Sequence, residues 1–164
     1  MSGRWRTFHT MISYVTGDAT HPHGQGPKVI CHVCNDIGGW GKGFVLALSR
    51  RWPQPEADYR AWHRSGNDFQ LGAIRLVQVE PELWVANMIG QHGIRPTKDG
   101  PPIRYDALDR CLSTLGDEAL SLHASVHMPR IGAGLAGGSW EQIEPLILKQ
   151  LTERGIAVTV YDLP

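Results

Sequence analysis

Residues 28–34, KVICHVC, form an apolar stretch that decides the fold. Both faces of this strand are apolar, which is typical of a strand buried between two helical layers. The strand continues into a glycine-rich loop, NDIGGWGKG at residues 35–43, and then into an apolar helical pattern over residues 44–51. A strand, a glycine-rich loop and a helix in this order indicate one repeating unit of an α/β sheet.

The rest of the chain alternates strands and helices in the same way. Two neighbouring strands, 73–79 and 83–89, are joined by Glu-Pro-Glu and predict an antiparallel pair. The pattern therefore predicts a three-layer α/β/α sandwich with a central mixed β-sheet. The other predicted strands are 11–15, 125–128 and 156–163; the other predicted helices are 56–64, 105–122 and 139–151, the last opened by a capping box of Ser139 and Gln142.

Length and charge limit the classes of function. A chain of 164 residues is enough for one domain with a continuous core. Sixteen Lys and Arg balance sixteen Asp and Glu, so no global basic field favours nucleic acid or a membrane surface as a partner. We expect a flexible polar extension at residues 1–10, a single domain over 11–164, and a cytoplasmic monomer without a membrane span.

The three cysteines indicate core thiols rather than a metal site. Cys31 and Cys34 are three apart on the predicted strand, so they point to opposite faces. A zinc site would need a second pair of ligands at suitable spacing, and the sequence offers none. We therefore expect no metal and no cofactor, and we interpret His32, between the two cysteines, as a core histidine.

A second glycine-rich loop, RIGAGLAGG at residues 130–138, also lies between a predicted strand and a predicted helix. Two such loops at the carboxyl ends of strands can hold a diphosphate through backbone N–H groups, and tight turns are the alternative interpretation.

Other phosphate-binding and hydrolase motifs are absent or lie in the wrong context. A Walker motif is absent, the GxGxxG at Gly132 lies far from the first strand–helix turn, and Ser139 lacks a nucleophile elbow.

Four ordered blocks stand out: YVTGDA (14–19), HVCN with GGWGKG (32–43), MPRIGAGL (128–135) and VYDL (160–163). Together they resemble a macrodomain, and the resemblance covers nearly the whole chain from residue 11. Within that family the sequence is most similar to the branch of terminal ADP-ribose protein glycohydrolase and the yeast ADP-ribose-1″-phosphatase. The resemblance implies a cleft for ADP-ribose or an ADP-ribosylated protein.

The same resemblance implies a role for individual residues. Asp18 would accept from the adenine amino group, Asn35 would face the distal ribose, and the two glycine-rich loops would enclose the diphosphate. The expected ligand-binding residues are Asp18, Ala19, Asn35, Gly39, Trp40, Gly41, Lys42, Gly43, Arg130, Ile131, Gly132, Ala133, Gly134, Leu135, Ala136 and Leu163.

Catalysis follows the family only in part. The glycohydrolase branch has a lysine where this chain has Gly90, with Gln91 next, and an aspartate where it has Ala136. A covalent lysine mechanism is therefore not supported. Hydrolysis without that pair would use a water molecule positioned at C1″ of the ribose, with Asn35 and Asp36 as the candidate catalytic residues.

Three functions stay open at this point. The first is a hydrolase that removes mono-ADP-ribose from acidic side chains of modified proteins. The second is a phosphatase acting on ADP-ribose-1″-phosphate, and the third is a reader that binds ADP-ribose without turnover. A loop that begins at Gln91 and His92 is expected to close over the distal ribose.

Overall fold

The computed structural model describes residues 11–164, so the extension predicted for residues 1–10 lies outside the described part. Strands and helices alternate along the chain, as the sequence predicts. The strands are β1 (Ser13–Thr16), β2 (Lys28–Asn35), β3 (Ile74–Glu80), β4 (Leu83–Gln91), β5 (Ser125–Met128) and β6 (Val158–Asp162). The helices are α1 (Phe44–Arg51), α2 (Gln54–Ser65), α3 (Tyr105–Leu122) and α4 (Trp140–Gln150).

The six strands form one mixed sheet in the order β1-β6-β5-β2-β4-β3. Five strands run parallel, and only β3 runs antiparallel, against β4. The predicted antiparallel pair is therefore correct, and the α/β sandwich with a mixed sheet is confirmed. From residue 11 onward, no helix is long and apolar enough to cross a bilayer.

Helices cover both faces of the sheet. Side chains of α3 and α4 pack on one face, and side chains of α1 and α2 pack on the other. The central strand β2 supplies both cores, because Cys31 belongs to the first and Cys34 to the second. The two thiols thus point to opposite faces, as their spacing predicts.

Most element boundaries lie within one or two residues of the prediction, but a predicted cap and the start of the last strand differ in an informative way. The capping box at the start of α4 is wrong, since the side chain of Ser139 makes no capping hydrogen bond. The Ser139 N–H instead donates to the Tyr105 hydroxyl at 2.9 Å, which ties the start of α4 to the start of α3. The last strand begins at Val158 rather than Ile156, because a short 3₁₀ helix (Thr152–Arg154) and the left-handed Gly155 (φ 86°) precede it.

The chain leaves β2 and β5 towards opposite faces. These strands are neighbours and parallel, but β2 continues to α1 on one face while β5 continues to α4 on the other. Such a switch in an α/β sheet opens a crevice at the carboxyl ends of the strands, which is where ligands bind. The fold therefore brings both glycine-rich loops to one crevice.

Two histidines are buried in the sheet. His32 Nε2 lies 2.5 Å from Asn87 Oδ1, so the core interpretation of His32 is correct. His127 lies between the Ser125 hydroxyl and the Tyr161 hydroxyl, each at 2.7 Å. Burial disfavours the charged imidazolium and lowers the pKa of both side chains to about 4.

These depressed pKa values predict a loss of stability in acid. Between pH 6.5 and pH 4 the unfolded chain binds protons at these sites and the native protein does not. The contribution of each histidine to the free energy of unfolding is therefore fully present above pH 6.5. It decreases as the pH is lowered from 6.5 to 4, by up to about 1.4 kcal/mol per pH unit for each histidine. Urea unfolding of wild type and His127→Gln from pH 4 to 8 should show the smaller slope in the variant below pH 6.5. Equal dependence of unfolding free energy on pH in the two proteins below pH 6.5 would contradict the lowered pKa of His127. Between pH 7 and 8 the two proteins should show the same pH dependence, which is the internal control.

Candidate functional site

The two glycine-rich loops meet at the carboxyl edge of the sheet. The first loop, residues 35–43, follows β2, and the second loop, residues 130–138, follows β5. The two loops come close together, because a Cβ built on Gly43 would lie 3.3 Å from Cδ1 of Leu135. The structure thus brings together the two segments that the sequence singles out.

The Asn35 side chain organises the first loop. Its Oδ1 accepts from the N–H groups of Ile37 and Gly39, at 3.0 and 2.9 Å, and its Nδ2 donates to the Gly39 carbonyl at 2.9 Å. The Tyr59 hydroxyl, on α2, donates to the same Oδ1 at 2.8 Å and to the Asn35 carbonyl oxygen at 2.7 Å. These contacts fix the turn out of β2 and occupy most of the amide that was expected to face a ribose.

The Trp40 side chain packs inwards rather than lining the crevice. It is 5% exposed, and its Nε1 donates to the Ser49 hydroxyl at 2.8 Å. Its ring packs against the rings of His32 and Tyr59, with centroids 5.5 and 5.4 Å away. Only its backbone remains for a ligand, whereas Lys42 further along the loop is exposed.

A third segment, residues 92–104, stands beside the first loop, and we call it the flap. Its two ends pair, since the N–H of His92 donates to the Pro102 carbonyl at 2.8 Å. Asp36 of the first loop holds the start of the flap. One carboxylate oxygen accepts from the Gly93 N–H at 2.8 Å, and the other lies 2.7 Å from Nδ1 of His92.

The far end of the flap packs against the second loop. The Ile103 N–H donates to the Ala136 carbonyl at 3.1 Å, and Pro101 fills the space beside Gly137 so closely that a Cβ there would lie 2.8 Å from it. The first loop, the flap and the second loop therefore lie side by side at the carboxyl ends of β2, β4 and β5, and we call the three together the loop ring.

Most glycines in the two glycine-rich loops are required by the fold. Some have a left-handed backbone, as at Gly38 (φ 80°) and Gly132 (φ 72°). At Gly138 a Cβ would lie 2.6 Å from a backbone oxygen. Gly41 and Gly134 are different. Within residues 11–164, they are the only glycines with neither a positive φ nor any atom within 4 Å of a built Cβ.

Asp18 lies beyond the carboxyl end of β1, at the same edge of the sheet. Burial acts to raise the pKa of its carboxyl, but hydrogen bonds at 2.8 Å from the Thr20 N–H and hydroxyl, and the nearby His21, hold it below its usual value. The carboxylate is thus ionised at neutral pH, and its side chain is 43% exposed. Ala19 beside it is buried, and Leu163 after β6 is exposed.

The Arg130 guanidinium is already paired. It makes two hydrogen bonds to the Asp162 carboxylate, at 2.7 and 3.0 Å, and lies over the rings of Tyr14 and Trp140 at 5.0 and 5.2 Å. Its next neighbour, Ile131, is 2% exposed and packs in the core. The Arg130 side chain is thus engaged in an ion pair and the Ile131 side chain is in the core, whereas the Leu135 side chain of the same loop is exposed.

The positions of the missing lysine and aspartate are closely packed. A Cβ on Gly90 would lie 3.1 Å from Cγ1 of half-buried Val33 and 3.8 Å from Cδ1 of Leu108, so a side chain there would require Val33 to shift by a few tenths of an ångström. Ala136 is 5% exposed and bound to the flap through its carbonyl. Residues 11–164 also contain no group of three or more His, Cys, Asp or Glu that could hold a metal.

Comparison with known proteins identifies the family. A macrodomain protein from Streptomyces coelicolor is 64% identical, with a TM-score of 0.82, over 93% of this chain and 99% of that one. The chain belongs to the macrodomain family. No family model matches the sequence.

Two curated relatives are also similar to this chain. Chromodomain-helicase-DNA-binding protein 1-like of Danio rerio is 35% identical over 93% of this chain, but the macrodomain described here spans only 16% of that protein. The ADP-ribose 1″-phosphate phosphatase of Candida albicans is 29% identical over 82% of this chain and 90% of its own length. The latter agrees with the phosphatase similarity seen in the sequence.

Sequence reasoning missed three features of the site. The hydroxyl of Tyr59 beneath Asn35, the contact of Asp36 with His92, and the seating of Pro101 on the second loop all join segments far apart in sequence. The sequence pointed to Asp36 as a candidate catalytic residue and to His92 as the start of a closing loop, but not to their contact with each other.

Removing the Asn35 amide should loosen the first loop. In Asn35→Ala, the N–H groups of Ile37 and Gly39 lose their acceptor, and we expect a loss of about 1–3 kcal/mol in unfolding free energy. Hydrogen exchange followed by mass spectrometry should show faster exchange over residues 36–40. Asn67→Ala, at an exposed position, is the control. Unchanged exchange over residues 36–40 would contradict the organising role.

Proposed function

We propose that this macrodomain binds ADP-ribose in the crevice enclosed by the loop ring and hydrolyses mono-ADP-ribose esters of acidic protein side chains. The proposal for the ligand rests first on the two glycines that the fold does not require. An open Cβ position at Gly41 and at Gly134, on facing loops, suits a ligand whose oxygens approach the backbone closely.

A diphosphate fits this site better than a cationic or apolar ligand does. Successive backbone N–H groups of glycine-rich loops, and the start of the helix that follows each loop, attract phosphate oxygens without side-chain charge. No side chain caps the start of α1 or of α4, so no capping side chain accepts a hydrogen bond from the first backbone N–H groups of either helix. This accounts for an anion site in a chain with no net charge.

The adenosine end of the ligand would lie towards β1 and β6. Asp18 is ionised, and part of its carboxylate remains exposed beside the contacts with Thr20. It can therefore accept a hydrogen bond from the adenine amino group, with buried Ala19 beneath it and exposed Leu163 at the end of β6. The distal ribose would then lie within the loop ring, near Asn35.

Hydrolysis of an ester needs little catalytic machinery. The leaving group is a carboxylate, which departs as an anion without a proton donor. A cleft that holds the diphosphate fixes C1″ relative to a bound water and so removes much of the entropic cost of the reaction. No lysine is required, which is consistent with the core side chains packed around Gly90.

Two other functions have specific support. Similarity to the Candida albicans ADP-ribose 1″-phosphate phosphatase favours a phosphate monoester as substrate. The missing lysine–aspartate pair favours a reader that binds ADP-ribose without turnover. All three functions use the same crevice, so only turnover separates them.

The first experiment is a release assay on a protein substrate. The purified chain, incubated with a glutamate-linked mono-ADP-ribosylated protein, is expected to release free ADP-ribose, measured by chromatography. Calorimetry with ADP-ribose on the same batch reports binding. Binding without release, followed by phosphate release from ADP-ribose-1″-phosphate, would replace the hydrolase with the phosphatase. Binding without either reaction would leave the reader, and no binding would refute the ligand itself.

The two open glycines provide a sharper test of the ligand position. We expect Gly41→Ala and Gly134→Ala to fold with wild-type stability, because each added methyl meets no protein atom. Each should weaken ADP-ribose binding by about tenfold or more, a cost of about 1.4 kcal/mol, because the methyl takes space needed by the ligand. Calorimetry measures the affinity and thermal unfolding measures the stability.

The matched control is Gln70→Ala, at an exposed position outside the loop ring, which should change neither quantity. Wild-type affinity in both glycine variants would show that the ligand does not approach these loops. Lost stability in either variant would show that the methyl meets protein atoms after all.

A further inference from the structure

We propose that His92 is the general base of the hydrolysis and that Asp36 is the residue that positions it. This inference rests on the proposed function, since it concerns how the attacking water is activated. It assigns to the flap the role of proton acceptor in the reaction.

The geometry of the pair is that of an oriented imidazole. Asp36 Oδ2 lies 2.7 Å from Nδ1 of His92, and Oδ1 of the same carboxylate accepts from the Gly93 N–H at 2.8 Å. The carboxylate is thus held at both oxygens and is only 17% exposed. A carboxylate in this position stabilises the tautomer with the proton on Nδ1, which leaves Nε2 with its lone pair.

The Nε2 atom of His92 is available to accept a proton. Within residues 11–164, Nε2 has no hydrogen-bond partner, and the imidazole is 58% exposed. His92 follows the end of β4, and Asp36 follows the end of β2, the neighbouring strand. The pair therefore lies where the flap joins the first loop, at the edge of the crevice next to Asn35.

Of the two groups, His92 suits the base better. Both oxygens of Asp36 are engaged by the flap, so this carboxylate would have to give up a contact to take a proton. His92 would give up none.

The reaction step balances without a further reactant. The Nε2 lone pair takes a proton from water as the water oxygen forms a bond to C1″. The bond between C1″ and the ester oxygen breaks, and its electron pair leaves on the glutamate carboxylate. The imidazolium, stabilised by Asp36, then returns the proton to solvent. Free ADP-ribose and the unmodified side chain are the products.

The test compares His92→Ala with wild type in the release assay. We expect kcat to fall by about 100-fold or more, while the affinity for ADP-ribose measured by calorimetry stays within twofold. Added imidazole should restore the rate of His92→Ala in proportion to its concentration and leave wild type unchanged. A merely structural role for His92 would give no such rescue.

Asp36→Asn tests the positioning role. The amide can still accept from the Gly93 N–H, but its NH₂ would face Nδ1 of His92 and favour the wrong tautomer. We expect kcat to fall and affinity to persist. Side-chain nitrogen NMR should show the proton on Nδ1 of His92 in wild type and on Nε2 in Asp36→Asn. The matched control is His123→Asn, an exposed histidine after α3, outside the loop ring, where asparagine suits the left-handed backbone.

The outcomes separate this inference from the proposed function. Release by wild type with unchanged kcat in His92→Ala would overturn the inference and leave the hydrolase standing. Lost kcat in His92→Ala without imidazole rescue would overturn the role as a base. Absence of release by wild type would overturn both. Lost affinity in His92→Ala would make His92 a binding residue instead.

Discussion

The chain must leave β2 towards one face of the sheet and β5 towards the other, and the site depends on this divergence. The two strands are buried neighbours, and their apolar side chains pack into the cores on the two faces of the sheet. The segment after each strand has to turn sharply at the same edge. Short loops with left-handed glycines achieve that turn, and they leave backbone rather than side chains facing the crevice.

Each part of the loop ring is held by the next part. Asn35 and Tyr59 fix the first loop, Asp36 holds the flap, and Pro101 and Ile103 seat the flap on the second loop. Because these contacts join different elements of the fold, the three segments are held in place by contacts within the protein. Loops held in this way lower the ordering cost of binding a ligand.

The sequence predicted the sheet well, because alternating apolar patterns report burial directly. The helix at residues 105–122 and the strand at 125–128 have the predicted bounds. The capping box at Ser139 failed: the Ser139 side chain makes no cap, and the Ser139 N–H donates to the hydroxyl of Tyr105, a residue distant in sequence. Within the site, the meeting of the two loops followed from pattern and topology. The partners of Asp36 and the inward packing of Trp40 did not, since they depend on side-chain directions that local sequence does not encode.

The packing around Gly90 couples that position to Val33. A Cβ on Gly90 would lie 3.1 Å from Cγ1 of Val33, so a side chain there requires Val33 to shift by a few tenths of an ångström. A smaller residue at position 33 would relieve that contact, but a space left unfilled beside a core costs stability. The effect of a substitution at either position therefore depends on the residue at the other.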